Sequence, residues 1–203
     1  MNLRILIIGL GGLGSVLLEL LARSSLSCRL VVGSRNRSHG IACCNLAKLG
    51  AQAQGCDPNI DFTHLDLDDP QATAKTIQSI SPDIIVCTAT RQSWWIPQQL
   101  PAPQASRFKA AGFGLWLPLH LSLPIALMRI LHSADYRGLT LIAPFPDVVN
   151  CILDRMGLSP TCGIGNVDEI ATKVRGLAAT KLAVPIDEVT VSLVGHHALE
   201  KIA

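Results

Sequence analysis

Apolar residues in this chain fall into two arrangements, short unbroken runs and longer stretches with helical spacing, and the two alternate along most of its length. Leu3 to Ile8, Arg29 to Val32, Ile60 to Leu65 and Ile84 to Cys87 are too short for helices and are bounded by turn residues, so they read as buried strands. Gly12 to Ser24, Ile41 to Leu49 and, after Pro70, Gln71 to Ile80 carry helical spacing between those strands. Pro97, Pro101 and Pro103 interrupt any period across residues 88–114, which predicts a loop with one or two helical turns. Beyond it the pattern predicts helices over Leu119 to Leu131, Val148 to Met156 and Asn166 to Leu182. It predicts strands over Leu139 to Ala143, Cys162 to Ile164 and Val189 to Val194. Asn166 is the expected cap of the last helix, with Asp168 and Glu169 in its first turn, where carboxylates suit the dipole.

Strand and helix in alternation specify an α/β class with a doubly wound, mostly parallel sheet and right-handed crossovers. Residues 1–143 make the expected nucleotide-binding domain, and residues 144–203 the start of a second, substrate-binding part.

The first strand ends in Gly9-Leu10-Gly11-Gly12-Leu13-Gly14 and runs straight into a helix. A buried strand that stops on GxGxxG and opens a helix presents free backbone N–H groups and the positive end of a dipole to a pyrophosphate. Gly9 allows the tight turn, Gly11 the approach of the pyrophosphate, and Gly14 close packing of helix on strand. Gly9, Gly11, Gly12, Leu13 and Gly14 are therefore expected to bind a dinucleotide in a Rossmann domain.

The end of the second strand indicates which dinucleotide. An NAD-preferring fold usually places Asp or Glu there, on the ribose hydroxyls. This chain reads Val31-Val32-Gly33-Ser34-Arg35-Asn36-Arg37, with no acid. Arg35 and Arg37 can pair with a 2′-phosphate through charge-assisted bonds worth about 1.5–3 kcal/mol each when well aligned. With Ser34 beside them, NADP(H) is favoured over NAD(H). Thr88 and Ala89, after the fourth strand, are expected to complete the cofactor wall. Asp66 and Asp68 fit either the adenine edge or an ordinary helix start.

Composition narrows the remaining classes. The formal charge is only +2 and no basic run occurs, which argues against nucleic acid or an anionic membrane as partner. Seven cysteines without paired spacing read as reduced thiols of a cytoplasmic protein, with neither disulfides nor a metal site. The apolar N-terminus is interrupted by glycines and Glu19, unlike a signal peptide or membrane span. The expected partner is a small-molecule substrate. A homodimer is compatible with the chain, for which Trp94, Trp95, Trp116 and the stretch 115–123 could supply a surface.

Several signals then occur in order: Cys87-Thr88-Ala89-Thr90-Arg91-Gln92 after the fourth strand, Ala143-Pro144-Phe145-Pro146-Asp147 after the fifth, Gly163-Ile164-Gly165-Asn166-Val167-Asp168 into a helix, and Val194-Gly195-His196-His197. In this order and spacing the chain resembles the lactate and malate dehydrogenase superfamily over nearly its whole length. The resemblance implies hydride transfer to a carbonyl, with His197 as acid/base, Asp168 as the partner that orients it, and Arg91 closing over the substrate to polarise the carbonyl. His196, adjacent, leaves the choice of histidine open.

The chain also departs from that pattern. Ala171 stands where the family has an arginine that forks onto a substrate carboxylate; Arg175 lies on a similar face, but about 10 Å along the helix from Asp168. Pro144 or Phe145 stands where the family has an asparagine beside the nicotinamide. Trp94 and Trp95 predict an aromatic wall, so a larger or uncharged carbonyl or an imine suits the site better than a simple 2-hydroxy acid. Family members continue well past the histidine, which implies either a fragment or a chain without the second half. Gly33-Ser34-Arg35 and Leu65-Asp66-Leu67-Asp68-Asp69-Pro70 also resemble saccharopine dehydrogenase-type and extended short-chain reductases. No Tyr-x-x-x-Lys pair accompanies them, because Tyr136 is followed by Thr140. The leading expectation is an NADP(H)-dependent oxidoreductase. The alternative is a regulatory or sensor protein that binds NADP(H) without turnover.

Overall fold

A computed structural model of the chain describes residues 3–93, 95–165 and 167–194. Six strands form one sheet, every pairing parallel: β1 (Leu3–Ile8), β2 (Cys28–Ser34), β3 (Asn59–His64), β4 (Ile84–Cys87), β5 (Leu139–Ile142) and β6 (Cys162–Gly163). Their order across the sheet is β3-β2-β1-β4-β5-β6. The chain leaves β1 toward β2 on one side and returns from β3 to β4 on the other, so the strand order reverses at the β1/β4 boundary. Such a switch point opens a crevice at the carboxyl ends of the strands.

The unbroken apolar runs are explained by cover on both faces. Leu6 and Ile8 of β1 pack with Val31, Ile85 and Cys87 against α3 (Pro70–Ile80), α5 (Leu117–Ser133) and α6 (Pro146–Arg155). Ile5 and Ile7 point the other way and pack with Leu30, Val32 and Val86 against α1 (Gly12–Ala22) and α2 (Arg37–Gln52). Alternation along a strand thus serves two cores at once, and each fully buried Leu or Ile contributes about 1.5–3 kcal/mol.

Three elements differ from the sequence-based expectation. Asn36 caps α2 by accepting from the backbone N–H of His39 at 3.0 Å, so the helix starts at Arg37, four residues before its apolar pattern begins. Inside the segment expected to be mainly loop lies a ten-residue helix, α4 (Ala102–Ala111), flanked by 3₁₀ turns at Ile96–Gln99 and Gly112–Leu115. None of its residues is buried, so it left no apolar period to detect. The strand expected over Val189 to Val194 does not form: no residue of the described chain offers it a ladder, and Val194 is fully exposed.

The sheet and its helices make one compact unit through Gly163, because β6 pairs with β5 and α6 contributes Val149 and Leu153 to the core. Sequence alone placed that boundary at Ala143. A second unit begins at Ile164 and contains α7 (Val167–Leu182), held to a following 3₁₀ turn by the Arg175 Nε–H donating to the Ile186 carbonyl at 2.8 Å. Among the described residues no helix is long and apolar enough to cross a membrane.

Candidate cofactor crevice

At the β1/β4 switch point the chain turns out of β1 through Gly9, whose φ of +101° belongs to the region that favours glycine. A Cβ at Gly9 would lie 2.8 Å from the Ala89 backbone. At Gly14, on the first turn of α1, a Cβ would lie 2.1 Å from the Gly9 carbonyl oxygen and 2.6 Å from Thr88 Oγ1. These contacts press α1 against the ends of β1 and β4. Thr88 secures them from the β4 side: its hydroxyl donates to the Gly9 carbonyl at 2.9 Å and its N–H to Ile8 at 2.9 Å.

Gly11 caps α1 without any side-chain acceptor, and no acidic residue occupies the first turn. The helix start is therefore free to receive an anion from outside the chain. Space is available too, because a Cβ built on Gly11 meets nothing within 4 Å. His39 steadies this loop from α2, its Nε2 donating to the Leu10 carbonyl at 3.0 Å.

A crevice of about 640 Å³ runs from this loop across the ends of β2, β3 and β4. It brings together Gly9, Gly11, Ser34, Arg35, Thr88, Ala89 and Arg91 from the set expected on sequence. Gly12, Leu13, Gly14 and Arg37 do not line it. Leu13 is 58% exposed, and Arg37 begins α2. Leu10, Asn36, Ile96 and Leu123 line the crevice without having been expected there. Asn36 carried a readable signal as a capping residue; Leu123 arrives from α5, which no local pattern could place.

Two cations of the crevice lining, Arg35 and Arg91, are drawn to Asp68, which lies in the loop after β3 and outside that lining. Its two carboxylate oxygens receive Nη1 and Nη2 of Arg91, and Nη1 of Arg35 stands 3.7 Å away. The hydrogen bond from Arg91 holds the Asp68 carboxyl below its ordinary range, and the same bond raises the Arg91 guanidinium. Arg91 also donates from Nε to Ser122 Oγ at 3.4 Å, and its N–H donates to Leu119. Loops following β2, β3 and β4 are thus tied by one carboxylate between two guanidinium groups.

Near the end of β5, Phe145 has a φ of +39° and rests on the His120 ring with centroids 4.2 Å apart. His120 is buried, its Nε2 lacks a hydrogen-bond partner among the described residues, and burial lowers its pKa. Asp168 lies on the first turn of α7. Trp94, Asn166, Gly195, His196 and His197 lie outside the described residues.

No family model matches the chain, and no curated protein does. Solved structures do. A malate dehydrogenase from Plasmodium falciparum superposes with a TM-score of 0.68 at 17% identity, over 97% of this chain and 55% of that one. The fold is that of the lactate and malate dehydrogenases. A minor L-lactate dehydrogenase from Enterococcus mundtii gives 0.64 at 16% identity, covering 97% and 55% of the respective chains. A lactate dehydrogenase from Eimeria maxima, solved with NADH and oxamate, gives 0.64 at 13% identity over 94% and 51%. The chain spans about half the length of these dehydrogenases. Over that half it has their α/β sheet.

Proposed function

We propose that this chain is an NADP(H)-dependent oxidoreductase that transfers a hydride between nicotinamide and a carbonyl or imine carbon. The observation that carries the reading is the crevice itself: a glycine turn and an uncapped helix start at the switch point, with Ser34, Arg35 and Asn36 and no acid at the end of β2. The cofactor supplies the hydride chemistry, and the chain binds, orients and polarises.

In this reading the first N–H groups of α1 receive the pyrophosphate and Arg35 receives the 2′-phosphate, with Arg37, exposed at the start of α2 and outside the crevice lining, adding positive charge nearby. Two of the superposing dehydrogenases were solved with NADH, so the phosphate preference belongs to this chain's own β2 end and not to those neighbours. Arg91 polarises the substrate carbonyl after its guanidinium leaves Asp68. His197 gives or takes the proton at the substrate oxygen, and Asp168 orients it. Both roles rest on the order of the sequence signals. His197→Asn should abolish NADPH oxidation against a panel of ketones and 2-oxo acids while leaving NADPH affinity within about twofold. An active variant removes His197 from the mechanism.

A second reading, a sensor that binds NADP(H) without turnover, draws on Ala171, where the resembling family carries its carboxylate-clamping arginine. It predicts saturable NADPH binding with no oxidation against the same panel.

A further inference from the structure

Past the carboxyl end of β5 lies a second cavity, of about 570 Å³, within the ordinary size range of small-ligand pockets. It is separated from the cofactor crevice by one step of the chain: Ile96 lines the crevice and Pro97, the next residue, lines the cavity. Phe108 of α4 and Trp116 ahead of α5 form a tilted pair on its wall, centroids 5.8 Å apart at 49°. Phe145 closes another side and is backed by the buried ring of His120. Lys109 is the one charged residue among those described in the lining, and no carboxylate accompanies it there.

From this arrangement we infer that the cavity takes the aromatic or branched apolar side chain of a monoanionic carbonyl substrate. The walls fix the first half of that description. Three aromatic rings and a proline offer a planar apolar group offset and edge-on contacts, and they leave a dicarboxylate or polyhydroxylated substrate with polar groups unpaired. The single ammonium of Lys109 fixes the second half, since it can balance one carboxylate but not two, and it repels an amine. The position fits as well. In a doubly wound sheet the reacting end of the ligand lies outside the carboxyl ends of the strands near the switch point, and Phe145 lies three residues past the carboxyl end of β5, the strand next to β4.

This inference rests on the oxidoreductase reading. The substrate carbon gains the hydride and its oxygen gains a proton, giving the alcohol, while the reduced nicotinamide is oxidised; the cavity takes no part in that step, its walls holding the apolar group and Lys109 balancing the carboxylate.

The test uses the full chain with phenylpyruvate and pyruvate as probes, followed by saturation-transfer NMR and by NADPH oxidation. Ala105→Phe fills the cavity from α4, and Lys109→Gln, at an exposed position, removes the charge without disturbing the fold. We expect phenylpyruvate to bind at least about tenfold more tightly than pyruvate, because only its ring reaches the apolar wall. Ala105→Phe should erase that difference with NADPH affinity unchanged. Lys109→Gln should weaken phenylpyruvate severalfold, and toluene-like neutral probes not at all. Equal binding of the two acids, or phenylpyruvate binding that neither variant alters, overturns the assignment. If phenylpyruvate follows the predicted variant pattern but neither NADPH nor NADH binds, the oxidoreductase reading fails while the occupant of the cavity stands.

Discussion

Asp68, in the loop after β3, grips the guanidinium of Arg91, in the loop after β4, with both of its carboxylate oxygens. Arg91 lines the crevice in which the cofactor is proposed to lie, and Arg35, which lines it too, stands at 3.7 Å from the same carboxylate. Asp68 therefore competes with any phosphate for two cations. Asp68→Asn should tighten NADPH about three- to tenfold and NADH less, as charge complementarity at a partly exposed site allows. Isothermal titration of both dinucleotides checks this, and unchanged or weaker NADPH binding contradicts it. Because hydrogen bonding lowers the Asp68 pKa, the tie is complete above the ordinary carboxylate range. It is lost only as pH falls through the lowered value.

Gly11, before α1, and Gly14, on its first turn, should respond differently to the same added methyl. Gly14→Ala places its Cβ 2.1 Å from the Gly9 carbonyl and should destabilise by about 1–3 kcal/mol, seen as a lower Tm without any ligand. Gly11 has an ordinary φ of −74° and open space, so Gly11→Ala should keep its Tm and lose NADPH affinity instead. A Gly11→Ala variant that binds normally would mean that no ligand approaches that face.

Much of this fold can be read from the chain because parallel strands covered on both sides need unbroken apolar runs. β1 and β4 have the bounds that their runs predict, and the glycine turn lies between strand and helix as its spacing requires. What escaped was structure that owes little to apolar period. α4 buries nothing, and the first turn of α2 is set by the Asn36 cap. Val189 to Val194 reads as a strand by its residues, but a strand also needs a neighbour, which sequence does not display. The crevice was legible in the same uneven way. Gly9, Ser34, Arg35 and Thr88 announced themselves, whereas the Asp68–Arg91 pair joins loops whose strands, β3 and β4, have β2 and β1 between them in the sheet, a contact that no local pattern displays.

His120 should make stability depend on pH. Burial lowers its pKa, so the folded chain binds this proton less readily than the unfolded chain. The stability it allows is full above the unfolded value, about pH 6.5, and falls as pH drops below it. Thermal melts from pH 7.5 to 5 should show Tm decreasing, with a smaller decrease in His120→Leu. That variant also removes a buried Nε2 that has no partner among the described residues, and should gain about 1 kcal/mol at neutral pH. A destabilised His120→Leu would indicate that the imidazole makes a needed polar contact.

The most direct test of the account is a paired fluorescence titration of NADPH and NADH against the wild-type chain and an Arg35→Ala, Arg37→Ala double variant. Charge-assisted pairing with the 2′-phosphate predicts NADPH binding at least about tenfold tighter than NADH in the wild type, and a loss of that margin in the variant with NADH affinity unchanged. Equal affinities in the wild type, or a margin that survives the double substitution, would contradict the assignment of the β2 end as a phosphate site.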